Sequence, residues 1–212
     1  MTWKSMLYST KYLNYNHRIK DYYKIKLFFN NPSPFNPTKI DQLFSYIFKL
    51  DKFNHQNYIK IIDLINNNYS IDTTINGYNG IYLLIIIALY QYYNTMKKQY
   101  FIFPTNTEAT NFYRNIKLIF KKLYLNIKVK LSHSGVKDLD LIRTTPISKF
   151  DIVIYTGGRF LNHIQYKNIN VLYNTTYICD LDKFKKDIRI EINDYFNNIN
   201  SKIFTIVNYN SN

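Results

Sequence analysis

Thr156-Gly157-Gly158-Arg159 follows the apolar run Phe150 to Tyr155 and places a hydroxyl, two glycine amides and a guanidinium in four consecutive residues. That set suits an anion. Unpaired backbone N–H groups at a strand-to-helix turn converge on negative charge, and arginine adds a planar fork of donors. Three other segments adjoin apolar runs in the same way: Pro104-Thr105 after Gln99 to Phe103, Ser132-His133-Ser134-Gly135 after Asn126 to Leu131, and Asn76-Gly77-Tyr78-Asn79-Gly80 before Ile81 to Tyr90. All five glycines fall in these segments, where a backbone must turn sharply or approach a ligand. A fifth segment, Cys179-Asp180-Leu181-Asp182, sets two carboxylates after Thr175 to Ile178. The plain alternative is that Pro104 and the glycines only form turns and that Arg159 is a solvated surface charge. The single cysteine, Cys179, excludes an internal disulfide and a Cys-based zinc site. His17, His55, His133 and His163 are scattered without ligand spacing, so no metal or other cofactor is expected.

Such loops need strands to end in them and helices to start from them, and the chain supplies both. From residue 69 the pattern predicts a strand over about Ser70 to Ile75, a helix from the Gly80 loop to about Tyr93, and a strand over Gln99 to Phe103. A helix from Glu108 to about Leu123, a strand over Asn126 to Leu131 and a short helix over Lys137 to Ile142 follow. Phe150 to Tyr155 reads as a strand leading into a helical turn at Arg159. Thr175 to Cys179 is another strand, then a helix through Ile188, Ile192 and Phe196, and a last strand over Lys202 to Val207. Alternation of this kind predicts right-handed crossovers, a parallel sheet with helices on both faces, and ligands at the carboxyl ends of the strands. Ile81 to Tyr90 is too short to span a bilayer and reads as a buried helix, so no membrane insertion is expected.

Upstream, Thr38 can cap a helix from about Lys39 to Leu50, and a second helix is expected near His55 to Asn66. Asn31 to Pro37 holds three of the five prolines and reads as an irregular linker. The expected organisation is therefore a basic, Tyr-rich arm and linker over 1–37 and one α/β domain over 38–212.

Charge is the second strong signal. The chain carries 28 Lys+Arg against 14 Asp+Glu, a net charge of +14, with a pI near 9.6. An AT-rich coding sequence explains many lysines, but accounts less well for only two glutamates, Glu108 and Glu191. The balance points to a polyanion, RNA ahead of DNA or lipid. With 18% aromatic residues the chain is not of disordered composition. In the arm, Lys4, Lys11, Arg18, Lys20, Lys24 and Lys26 alternate with Trp3, Tyr8, Tyr12, Tyr15, Tyr22 and Tyr23. Cations for phosphates and rings for bases fit a segment that threads into RNA; a strand or helix packed on the domain is the alternative. The first twenty residues, basic and free of acids, resemble an organellar transit sequence in composition, a plain basic tail being the other reading.

In this order the motifs resemble the first RecA-like domain of a DEAD-box RNA helicase, over about residues 50–209. Phe103-Pro104-Thr105-Asn106-Thr107-Glu108-Ala109 is similar to the family's PTRELA segment. Asp151-Ile152-Val153-Ile154-Tyr155-Thr156-Gly157-Gly158-Arg159-Phe160-Leu161 is similar to its run containing TPGR, with Gly157 where the family has proline. His133-Ser134-Gly135-Val136 stands at its GG loop, and His55-Gln56 at the glutamine that reads adenine. The resemblance implies a three-layer RecA-like, P-loop NTPase fold and an RNA strand held by its phosphates through Thr105, Gly135, Thr156, Gly158 and Arg159. It implies a nucleotide site at Gln56, Gly77, Gly80, Tyr82, Asp180 and Asp182, and there the chain departs from the family. Ile81 and Tyr82 stand where a phosphate-binding Lys and a magnesium-binding Ser/Thr belong. Cys179 stands for the first Asp of the DEAD motif, and Asp180 for its Glu.

No second RecA-like domain is expected. The expectation is therefore a chain that is not an enzyme: an RNA-binding structural component of a ribonucleoprotein, with a mitochondrial or other organellar ribosome the leading candidate. Its expected partners are rRNA and neighbouring proteins, with no homo-oligomer. The alternatives are one half of a nucleotide-dependent RNA helicase or ribosome assembly factor working with a partner chain, and a protein–protein adaptor.

Overall fold

The computed structural model describes residues 71–72, 80–95, 97–122, 125–133, 147–166, 169, 171, 174–199 and 202–207. In chain order these form β1 (Ile71–Asp72), α1 (Gly80–Thr95), β2 (Gln99–Phe103), α2 (Asn106–Lys122), β3 (Val129–Ser132), β4 (Ile152–Thr156), α3 (Gly157–Gln165), β5 (Thr175–Cys179), α4 (Lys186–Asn197) and β6 (Lys202–Val207). Short 3-10 turns cover Ile147–Lys149 and Leu181–Lys183. The strands make one sheet in the order β1-β6-β5-β2-β4-β3, with every pairing parallel. The expected parallel α/β architecture is present. All described strand ends lie along one rim and all strand starts along the other.

β2 lies between β4 and β5 and is buried on both faces. Alternate side chains of a strand point to opposite faces, so the two helix layers receive different rings. Phe101 and Phe103 meet Phe112 of α2 at 5.0 and 5.2 Å between centroids, and Phe101 stacks on Tyr177 at 4.6 Å. Gln99, on the same face, donates through Nε2 to the Ala88 carbonyl of α1 at 2.9 Å. Tyr100 and Ile102 face the other way, into a core with Tyr155, Phe160, Phe184, Ile192 and Phe196 from the α3/α4 layer. α1 is buried from Leu84 through Gln91 without a polar stripe, as a helix covered on all sides must be. No described helix is long and apolar enough to cross a membrane.

Element boundaries differ from the sequence reading in physical ways. α2 starts at Asn106, not Glu108, because Thr105 caps it. The Glu108 N–H donates to Thr105 Oγ1 at 3.2 Å, and that hydroxyl donates to Glu108 Oε2 at 2.7 Å. The Thr-x-x-Glu spacing is that of a capping box. β3 starts three residues later than expected. The Lys128 carbonyl still accepts from Asp151 and Ile152, but Asn126 and Lys128 are exposed and only Ile127 between them is half-buried. The expected helices over Lys39 to Leu50, His55 to Asn66 and Lys137 to Ile142 lie outside the described residues, as does the 1–37 arm.

Burial has a consequence for alkaline stability. Burial pushes the Tyr177 phenol and the Cys179 thiol well above their ordinary values, with Asp180 and Glu108 adding to the effect on Cys179. Burial also raises Tyr100 against a hydrogen bond from Asn174, and raises Tyr195. An acid that stays protonated when folded but ionises when unfolded favours the unfolded chain as pH rises past its unfolded value. Lys183 acts in the same direction: its hydrogen bond to Asp180 raises it, so its contribution is present below its unfolded value and lost as pH rises through the folded one. Lys98, lowered by burial, opposes the trend. Urea midpoints should therefore fall from about pH 9 upward and more steeply above about pH 10. A midpoint flat from pH 8 to 10.5 would contradict this.

Candidate nucleic-acid interface

The carboxyl rim divides into two halves by strand order. The ends of β3, β4 and β2 are adjacent and carry Ser132-His133, Thr156 and Pro104-Thr105, followed by the starts of α3 and α2. The ends of β5, β6 and β1 form the other half. From β2 the chain moves towards β3, and from β5 towards β6, so connections leave in opposite directions at the β5/β2 junction. That is where an open α/β sheet forms a crevice.

On the first half, α3 begins immediately at Gly157. Its cap residue, Thr156, is extended (φ −92°, ψ 154°) and makes no side-chain cap hydrogen bond. The first-turn amides, including that of Gly158, therefore have no intrahelical carbonyl and take no cap from the Thr156 hydroxyl. Arg159 is half-buried beside them, and its Nη2 reaches the His133 carbonyl at the end of β3 at 3.5 Å. This joins the α3 start to the β3 end and sets a guanidinium beside a positive helix end.

Gly157 has a different role from the one expected. The sequence reading set it among the glycines of sharp turns and ligand approach, where the resembled motif has proline. A Cβ built at Gly157 would lie 2.7 Å from Ile188 Cγ2 and 2.8 Å from the Phe184 ring. Gly157 is buried and lets α3 seat tightly against the turn before α4 and the first turn of α4 itself. Gly158 has only an ordinary contact at 3.8 Å.

At the β5/β2 junction, Asp180 adopts a left-handed conformation (φ 48°, ψ 59°) with its side chain buried. That conformation is strained for most residues and tolerated best by Asp and Asn among non-glycines. Its Oδ2 holds Lys183 Nζ at 2.6 Å, while Asp182, 89% exposed, is 3.5 Å from Arg189. Cys179 is buried, and its raised thiol stays protonated at neutral pH. Direct magnesium ligation needs several oxygens facing one point. Among the described residues no group of three His, Cys, Asp or Glu side chains does so, and Asp180 is already held by Lys183. These residues do not by themselves fit a magnesium nucleotide.

Of the expected phosphate contacts, Thr105, Thr156, Gly158 and Arg159 come together on one half of the rim. The Thr105 hydroxyl is engaged by Glu108. Asp180 and Asp182 flank β5, while Gly80 and Tyr82 are the first and third residues of α1. Gly135, Gln56, Gly77 and the arm residues Lys4, Lys11, Arg18, Lys20, Lys24 and Lys26 lie outside the described residues. The sequence reading missed three participants: Glu108, Lys183 and the His133 carbonyl. The first two were legible as i,i+3 partners of Thr105 and Asp180.

No protein-family model matches the chain, and no curated protein matches it in sequence. In structure it is similar to a hypothetical ATP-dependent RNA helicase from Sulfolobus tokodaii, with a TM-score of 0.54 and 18% identity over 70% of this chain and 44% of that one. It is also similar to the yeast DEAD-box splicing factor Prp28, with a TM-score of 0.50 and 13% identity over 65% of this chain and 36% of that one. The chain spans less than half the length of either. The expectation that it is not an enzyme is corrected by these likenesses. The first is to an ATP-dependent helicase, the expectation rested largely on Ile81, Tyr82 and the chain's end, and nothing among the described residues shows an inactive domain. The fold is the RecA-like α/β fold of helicase domains.

Proposed function

We propose that this chain is the RNA-binding RecA-like domain of a helicase-type component of a large ribonucleoprotein, an organellar ribosome or its assembly machinery being the leading setting. The supporting observation is the α3 start, which the Thr156 side chain does not cap, with Arg159 beside it and bridging to the end of β3. A helix amino terminus with a guanidinium beside it suits the phosphates of an RNA strand. The net charge of +14 supports a polyanion partner, and the arm's cation–tyrosine alternation supports added contacts to phosphates and bases.

Anisotropy of a labelled 20-nucleotide poly(U) RNA, measured across salt concentrations, tests this. The wild-type chain should lose affinity steeply with salt. Arg159→Ala should bind several-fold more weakly, with a log–log salt slope shallower by about 0.7, one phosphate contact on a single strand. Salt-insensitive binding, or an unchanged slope in Arg159→Ala, argues against the interface. RNA and proteins recovered with the tagged chain from cells would test the setting.

A second reading is suggested by the β5/β2 junction, where Asp180 and Asp182 follow β5 and both Asp180 and Glu108 lie near enough to act on the Cys179 thiol, although these carboxylates do not face one point. In it the chain is one half of a nucleotide-dependent helicase completed by a partner. Calorimetry with ATP and magnesium distinguishes the two, because only this reading requires saturable binding.

A further inference from the structure

Counted over the described residues, the carboxyl rim is close to electrically balanced and the opposite rim is not. Arg159, Lys183, Lys185, Lys186 and Arg189 stand at the carboxyl rim against Glu108, Asp180, Asp182 and Asp187. At the opposite rim, Lys97 and Lys98 immediately precede β2, Lys128 precedes β3, Lys149 precedes β4, Lys202 opens β6, and Lys121 lies in the last turn of α2, which runs back to this side. Among the described residues, the acids at the same rim are Asp151 and, in the last turn of α4, Asp194. Asp151 is already engaged, its Oδ2 accepting the Lys128 N–H at 2.7 Å.

The backbone ladder sets these strand starts in one row. Lys202 pairs with Thr175, the Thr175 N–H reaches the Lys98 carbonyl at 3.0 Å, Gln99 reaches Asp151 at 2.9 Å, and Asp151 reaches Lys128 at 2.9 Å. Five strands at the usual spacing make a row about 19 Å long, the axial rise of about five to six phosphates of one strand. Lys97, Lys121, Lys128 and Lys149 are exposed, whereas the half-buried Lys98 donates to the Ile147 carbonyl at 2.8 Å. Beside the row, α3 also ends at this rim, and the residue after it, Tyr166, is 75% exposed.

We propose that the amino-terminal rim of the sheet is a second RNA surface, separate from the carboxyl rim, on which Lys97, Lys121, Lys128 and Lys149 take phosphates of a single strand and Tyr166 stacks on a base. Lysines tracking a backbone with an exposed ring beside them are the elements of single-strand recognition. An acidic protein surface would use the charges but not the ring. The proposal takes its polymer from the RNA-binding reading above and adds a second point of attachment, so a domain inserted among RNA segments would be gripped from opposite ends of its sheet.

The test uses the full chain and the same poly(U) RNA. Substituting Gln for Lys97, Lys121, Lys128 and Lys149 together should lower affinity at least about tenfold at 0.1 M salt and make the salt slope shallower by about 3. Tyr166→Ala should weaken binding about fivefold or more. In the unsubstituted protein, RNA should protect the four lysines from acetylation, which keeps the test valid should the quadruple variant fold poorly. Unchanged slope and affinity in the quadruple variant, or no protection, overturns the proposal even where Arg159→Ala retains its effect. That pattern leaves the carboxyl rim as the RNA site and this rim to a protein neighbour. The converse pattern supports the amino rim and sinks the carboxyl-rim reading, and a wild-type chain that does not bind RNA overturns both.

Discussion

Phe101→Ala should destabilise the domain by about 3–5 kcal/mol, the usual cost of emptying a buried aromatic site. Phe101 is fully buried in the strand paired on both sides, stacked on Tyr177 at an interplanar angle of 16° and tilted against Phe112. Its ring is therefore common to β2, β5 and α2. No smaller side chain can contact all three, and neighbours built into a paired sheet cannot collapse into the void. The loss should appear as a lower urea midpoint with an unchanged m-value. Phe101→Leu, which keeps most of the volume, should lose about half as much. A loss under about 1 kcal/mol for the alanine variant would mean that the ring does not tie these elements together.

Gly157→Pro should also destabilise, although local preference says otherwise. Gly157 is the first residue of α3, where proline has a suitable φ and loses no intrahelical hydrogen bond. The resembled motif carries proline at the matching position. Here the proline Cβ would fall within 2.8 Å of Ile188 and the Phe184 ring, and overpacking of that kind costs about 1–3 kcal/mol. A net loss of about 2 kcal/mol is expected, with part of it recovered in Gly157→Pro/Ile188→Ala, where one obstructing side chain is gone and the Phe184 ring remains. A neutral or stabilising Gly157→Pro would show that the α3–α4 contact yields easily. Thermal melts of the three proteins decide it.

These two positions also show what could be read before folding. β2, β5 and β6 were legible to the residue because each is a continuous β-prone run with charged or turn-forming residues beside it. The cap at Thr105 was legible in principle, since its partner is three residues away. Gly157 was not: what constrains it is Ile188, a neighbour made only by the packing of α3 against α4. The same holds for the bridge from Arg159 to His133, which depends on β3 and β4 being adjacent. The carboxyl-rim loops were found because sequence order marks strand ends. The lysine row on the opposite rim was overlooked because its members are dispersed along the chain, each unremarkable beside its own strand.

The strand order also sets a timetable for biogenesis. β2 cannot be flanked on both sides until Ile152 and Thr175 have been made, and Ile71 pairs with Ile206 in the last described strand. A nascent chain leaving the exit tunnel therefore carries β2 without a neighbour until β4 has been translated, and with one side open until β5 has followed. Such late closure exposes it to aggregation, and a cell that makes this protein should rely on holdase chaperones more heavily than for a domain of sequentially adjacent hairpins.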